Sequence, residues 1–157
     1  MKKILVGLFS ISILVASCGK TGESIQTCTN ATPASEDSTM QAFCTKDTIT
    51  ATKDPSGLYY QVITPGVGPA ITLNSTVSVT YTGSFLDGTI FDKETSPVTF
   101  PLSSVIAGWQ IGIPYVKAGG HIKLVVPSTY AYGCNGEAPS IPPNSILYFD
   151  VTVVSVQ

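Results

Sequence analysis

The sequence predicts an α+β domain, an antiparallel sheet of about five strands wrapped over one short helix. Apolar and polar residues alternate through residues 76–85, 121–127 and 145–156, turn-forming residues separate these runs, and one helical signal at residues 103–109 falls between them. Of 157 residues, 43% are hydrophobic and 11% charged. That composition supports one compact domain of ordinary size and argues against a disordered chain.

The N-terminus reads as an export signal. Lys2 and Lys3 precede an apolar run over residues 4–16, too short to span a bilayer comfortably but suited to a signal-peptide core. The run ends in Val15-Ala16-Ser17-Cys18, which resembles a bacterial lipoprotein box: small residues fit the signal peptidase and the Cys18 thiol accepts diacylglycerol. Residues 1–17 are therefore expected to be a signal peptide, Cys18 the lipidation site, and the product an exported, membrane-anchored lipoprotein on the periplasmic or cell-surface side. The alternative is an ordinary signal peptide followed by a chance cysteine.

Residues 18–55 read as a lipid-anchored tether. Thr21, Ser24, Thr27, Thr29, Thr32, Ser35 and Ser38 dominate its first half, which has no aromatic residue to bury. Met40, Phe43 and Cys44 then recur at helical spacing, so one short helix is expected, with Ser35 or Ser38 as its cap. With Cys18 set aside, Cys28, Cys44 and Cys134 remain, an odd number for a chain outside the cytoplasm. Cys28 and Cys44 bracket about sixteen residues, and closing such a loop is worth roughly 3 kcal/mol, so they are the favoured disulfide and Cys134 the reduced thiol. Pairing between molecules and a metal site are the alternatives. The cysteine spacings match no paired-ligand pattern, and His121 is the only histidine.

Residues 56–157 form the expected working domain. Asp54-Pro55-Ser56-Gly57 is a turn signal, and the strand over residues 58–64 ends at Pro65-Gly66. In residues 76–85 the alternation places Val77, Val79 and Tyr81 on one face. Leu86-Asp87-Gly88-Thr89 reads as a tight hairpin turn and residues 98–102 as a short strand. Ser103-Ser104 offers a cap for about two helical turns beginning at Val105. Ile122, Leu124 and Val126 point inward with His121 and Lys123 outward, and Leu147, Phe149, Val151 and Val153 share one side of the last strand.

Several function classes lack their signatures. Arginine is absent and the net charge is -2, unlike a basic nucleic-acid footprint. No nucleophile elbow or phosphate-cradling glycine loop occurs, and no cofactor is implied. What stands out is a supply of aromatic residues near element ends: Tyr81, Phe91, Phe100, Trp109, Tyr130, Tyr132 and Phe149. Of these, Phe100 is read first as core.

Six segments then carry a specific resemblance: Thr76-Val-Ser-Val-Thr-Tyr-Thr-Gly83, Leu86-Asp-Gly-Thr-Ile-Phe-Asp92, Val105-Ile-Ala-Gly-Trp109, Gly119-Gly-His-Ile-Lys-Leu-Val-Val-Pro127, Tyr130-Ala-Tyr-Gly133 and Ile141-Pro-Pro-Asn-Ser-Ile-Leu-Tyr-Phe-Asp150. In order and spacing they resemble the signature segments of FKBP-type peptidyl-prolyl cis/trans isomerases. The resemblance implies a pocket floored by Trp109 and walled by Tyr81, Phe91, Val105, Ile106, Ile141 and Phe149, with Val98 where the family often has an aromatic wall. It implies three orienting groups, the Ile106 amide, the Tyr132 hydroxyl and Asp92, with a turn residue after the hairpin as the alternative reading of Asp92. Its substrates would be proline-containing polypeptides. Macrolide inhibitors would be further ligands of a pocket that Val98 and a short link from Leu102 to Val105 make wider or weaker. The loop at residues 133–141 should overhang that pocket. The expected activity is isomerisation of X-Pro bonds in exported proteins. A non-catalytic proline-segment-binding module or holdase chaperone is the alternative, and a purely structural lipoprotein would leave the six segments unexplained.

Overall fold

The computed structural model describes residues 27–157; the expected signal peptide over residues 1–17, the expected lipidation site Cys18 and the first residues of the expected tether lie outside the described residues. Helix α1 (Pro33–Lys46) comes first. Its cap is Thr32, a turn earlier than expected, because Pro33 at the first helical position has its φ preset and no N–H to lose. Ser35 is the reciprocal partner instead: its N–H donates to Thr32 Oγ1 at 3.2 Å, and the Thr32 N–H donates to Ser35 Oγ at 3.1 Å.

The strands β1 (Thr52–Lys53), β2 (Tyr59–Thr64), β3 (Thr76–Phe85) and β4 (Ile90–Pro101) follow. After the short helix α2 (Ala107–Gly112) come β5 (His121–Val126) and β6 (Leu147–Val156). All pairings are antiparallel, in the order β1-β2-β5-β6-β3-β4, so the sheet has six strands. The strand beyond the expected five is the two-residue β1. The expected strand at residues 98–102 is the end of the long β4, whose earlier residues hide its alternation behind Asp92, Lys93, Glu94 and Pro97. Proline is tolerated there because β4 is an edge strand, and the register slips between the Val79–Val98 and Tyr81–Glu94 pairs.

The inner face of the sheet carries the main core. Val77, Val79, Ile122, Leu124, Leu147 and Val151 are fully buried there. Helix α2 lies against this face because Gly108 and Gly112, four residues apart, present no side chain to it; a Cβ at either would clash with Val126 or Leu124 on β5. Ser103 and Ser104 do not cap α2. They belong to a 3₁₀ turn, Leu102–Ser104, and Ile106 occupies the N-cap position.

The opposite face departs from the alternating prediction. Val125 and Tyr59, which alternation sends outward, are buried with Met40, Phe43, Cys44 and Ile49 beneath α1. The described part of residues 18–55 is therefore a docked element rather than a free tether. Met40 is fully buried, the Phe43 and Tyr148 rings stand 5.3 Å apart, and Asp37 pairs with Lys53 at 2.6 Å while accepting from the Tyr59 hydroxyl at 3.0 Å.

The expected Cys28–Cys44 disulfide is corrected. Cys28 is bridged to Cys134, with Cα atoms 5.5 Å apart, and Cys44 is a free, buried thiol. The loop-entropy argument ignored what lies between the first two cysteines. Residues 33–44 are helical and rise about 17 Å at 1.5 Å per residue, which sets Cys44 at the far end of α1, while the arm before α1 runs instead to Cys134, whose N–H donates to Asn30 Oδ1. Burial pushes the Cys44 thiol up, away from its reactive thiolate.

Candidate functional site: an aromatic pocket over Trp109

Cavities of about 300, 310 and 290 Å³ open on the described residues, so size alone does not single one of them out. Lining does. The 310 Å³ cavity is walled by Tyr81, Phe91, Phe100 and Phe149 around Trp109, with Val105, Ile106, Ser104, Tyr132 and Asp92 at its edge. The 300 Å³ cavity mixes Phe43, Ile49, Phe85 and Leu86 with Lys46, Asp47, Asp87 and Lys123, and the 290 Å³ one is lined largely by polar and charged residues, among them Lys93, Glu94 and Asp150.

Each wall follows from a local device. Trp109 sits in the first turn of α2, 3% exposed, and meets three rings edge-on: Tyr81 at 5.1 Å, Phe149 at 5.4 Å and Phe100 at 6.4 Å between centroids. Its Nε1 is the buried side-chain polar atom left without a partner among the described residues. Phe149 points inward on β6 because the register sets it opposite Leu124 and Gly83. Gly83 leaves the space that Phe91 and Phe149 fill, since a Cβ there would press on both rings.

Phe91 and Asp92 are consecutive, and a regular strand would send them to opposite faces. The register of β3 and β4 shifts between the Gly83–Asp92 and Ser84–Ile90 pairs, so Phe91 stands at a bulge and both residues line the cavity. The Tyr81 hydroxyl donates to Asp92 Oδ2 at 2.5 Å. Burial first and this bond second push the Tyr81 hydroxyl up from its ordinary range. Burial likewise pushes Tyr132 up, with the nearby Glu137 and Asp92 adding to it. Both hydroxyls therefore remain protonated donors at neutral pH.

The segment leading into α2 is held by Gln110, whose Nε2 donates to the Val105 carbonyl at 2.8 Å and the Ser103 carbonyl at 3.3 Å. The Ile106 carbonyl accepts from the Trp109 N–H at 3.0 Å, and as N-cap its own N–H lies outside the helical ladder.

Of the residues expected at the site, the structure brings together Tyr81, Phe91, Asp92, Val105, Ile106, Trp109, Tyr132 and Phe149. Val98 and Ile141 are not among the lining residues. Val98 pairs with the fully buried Val79 and packs on the core, and Ile141 is itself core at 5% exposure. Phe100, read first as core, is a cavity wall as well, and Ser104, expected only as a helix cap, is at the rim. The one signal for Phe100 was its place two residues beyond Val98 on the same strand face. His121 is partly buried rather than free at the surface, its Nε2 2.5 Å from Asp150 Oδ1.

A small aromatic pocket between a short helix and the inner face of a six-stranded antiparallel sheet defines an FKBP-like domain. Residues 68–154 match the family model described as FKBP-type peptidyl-prolyl cis-trans isomerase, and the chain belongs to that family. It is 46% identical over 105 residues to the FKBP-type peptidyl-prolyl cis-trans isomerase FkpA of Escherichia coli strain K12, covering 65% of this chain and 38% of that protein. To the peptidyl-prolyl cis-trans isomerase Mip of Coxiella burnetii it is 43% identical over 105 residues, covering 65% of this chain and 46% of Mip. The match thus spans less than half the length of these relatives. The crystal structure of Escherichia coli FkpA superposes with a TM-score of 0.70 at 38% identity, over 80% of this chain and 61% of that one. A peptidyl-prolyl cis-trans isomerase from Pseudomonas syringae pv. tomato superposes with a TM-score of 0.68 at 32% identity, over 82% of this chain and 98% of that one.

Proposed function

We propose that the chain is a peptidyl-prolyl cis/trans isomerase acting on X-Pro bonds of exported proteins, held at a membrane through lipid on Cys18. The observation that carries the activity is the cavity over Trp109, aromatic on its walls and with hydroxyl and amide donors at its edge. Rotation of an X-Pro bond faces a barrier of roughly 18–20 kcal/mol because amide resonance must be lost. Resonance separates charge, and water stabilises that planar form. An apolar cavity that takes in the prolyl ring removes this water and so favours the twisted amide relative to the planar one. Each tenfold in rate requires about 1.36 kcal/mol of that preference, and no covalent step is needed. Tyr132 and the Ile106 amide would donate to substrate carbonyls, while Asp92, engaged by Tyr81, orients the wall.

The testing experiment is a coupled isomerisation assay with proline tetrapeptides. Turnover above the uncatalysed rate is expected; proline-peptide binding without turnover would instead establish a binding module or holdase. Tyr132→Phe should lower kcat/KM by roughly five- to thirtyfold, about 1 to 2 kcal/mol for one hydrogen bond. Activity should be flat between about pH 6 and 8, because both pocket tyrosines are raised and no histidine lines the cavity. A bell-shaped profile that vanishes in a folded Asp92→Asn variant would make Asp92 an acid or base and overturn the desolvation mechanism. For the anchor, radiolabelled palmitate is expected to mark the parent chain and not Cys18→Ser. Equal labelling of the two would remove the lipoprotein reading.

A further inference from the structure

Tyr132 stands in the long connection between β5 and β6, which contains no ladder of its own beyond one Glu137–Ile141 bridge. Ordering such a segment costs about 1–2 kcal/mol of backbone entropy per residue, so contacts from elsewhere must hold it. They come from the extended arm before α1 and from the first turn of α1, and they grip the loop on both sides of Tyr132.

Upstream of Tyr132, Glu36 is 8% exposed and its carboxylate accepts from the Ser128 N–H at 2.9 Å and the Ser128 hydroxyl at 2.6 Å; Ser128 is fully buried. Downstream, Asn30 Oδ1 accepts from the Cys134 N–H at 2.8 Å, and the Cys134 side chain is bridged to Cys28. Where the loop returns, the Ala31 N–H donates to Asn144 Oδ1 at 3.2 Å, and the Asn144 N–H donates to the Gly133 carbonyl at 2.8 Å. Gly133, next to Tyr132, has φ 58°, and a Cβ there would collide with the Asn30 side chain. The arm and the loop are thus packed against each other one residue from the pocket hydroxyl.

We infer that residues 28–36 are a positioning element of the pocket: Asn30, Glu36 and the Cys28–Cys134 bridge fix the loop that carries Tyr132 and so set how tightly substrate is held. The inference rests on the isomerase reading for its kinetic consequence, and on geometry alone for its structural one. Glu36 and Ser128 are 92 residues apart in sequence and Asn30 and Cys134 are 104 apart, so nothing in local sequence links the arm to the site.

The test uses the full chain with Asn30→Leu, Asn30→Asp and Cys28→Ser. Amide hydrogen exchange is expected to accelerate about tenfold or more across residues 128–144 in Asn30→Leu with β5 and β6 unchanged, and in Cys28→Ser the same loop should accelerate at least as much, ahead of β5 and β6, whose exchange follows the lowered global stability. KM should rise about fivefold with kcat nearly constant, and Asn30→Asp, which keeps the acceptor, should restore both readouts. Combined with Tyr132→Phe, Asn30→Leu should add little further loss, since both remove the same interaction; a merely structural role would add in full. Unchanged loop exchange in both variants, or fully additive losses in folded protein, would overturn the inference. An inactive parent would defeat the isomerase reading, and the exchange data would then decide the positioning claim alone. Should Asn30→Leu fail to fold, Cys28→Ser carries the same comparison.

Discussion

Trp109→Ala is expected to lower kcat/KM for a proline tetrapeptide by about a hundredfold or more, corresponding to roughly 2.7 kcal/mol of lost transition-state preference. The indole is the floor on which the cavity is built, 3% exposed and in edge contact with Tyr81, Phe100 and Phe149. Its removal joins the cavity to a new void and readmits the water whose exclusion favours the twisted amide. The same truncation should cost about 3–5 kcal/mol of stability, because the three rings lose their common partner. Phe91→Ala separates the two effects. Phe91 is half-buried at the bulge of β4, so its loss opens one wall at smaller cost to the fold, and about a tenfold fall in kcat/KM is expected. Both variants are assayed at a temperature where far-UV circular dichroism shows them folded. A folded Trp109→Ala chain with parental kcat/KM would show that the cavity is not where isomerisation occurs.

What the sequence made legible was the half of the molecule governed by period two. The alternation of Val77, Val79 and Tyr81 and of Leu147, Phe149 and Val151 predicts the inner face, and two cavity walls lie on it. The bulge that turns both Phe91 and Asp92 toward the cavity left no periodic trace, since it is defined by the register against β3. Those two residues were reached through the family resemblance instead. Val98 shows the limit of that route: its position suggested a pocket wall, but its pairing with Val79 commits it to the core. The docking of α1 was hidden for a different reason. Met40, Phe43 and Cys44 are few among Ser, Thr and acidic residues, and the surface they cover, Val125 and Tyr59, sits on strands whose other face already accounts for the fold. Alternation states which residues share a face and does not state how many faces are buried.

The disulfide gives the second large effect, on stability. Reduction of the chain, or Cys28→Ser, is expected to lower the free energy of unfolding by about 2–5 kcal/mol. The two cysteines are 106 residues apart. In the chain-entropy model, a loop of about 100 residues constrains the unfolded chain by roughly 4.7 kcal/mol, more than the roughly 3 kcal/mol of a Cys28–Cys44 loop. Part of the loss is local as well, since the bridge ties the arm before α1 to the connection between β5 and β6, and freeing it weakens the Asn30 contact to the Cys134 N–H beside it. The measurement is denaturant unfolding of the parent with and without a dithiol reductant, and of Cys28→Ser. Peptide mapping under non-reducing conditions should recover Cys28 linked to Cys134, with Cys44 alkylated only after unfolding because α1 buries it against Val125. Reductant should leave the Cys28→Ser midpoint unchanged, since the described residues hold no second bridge to break. A linked Cys28–Cys44 peptide from the folded protein would mean that the arm before α1 does not run to Cys134, and its grip on the pocket loop would fall.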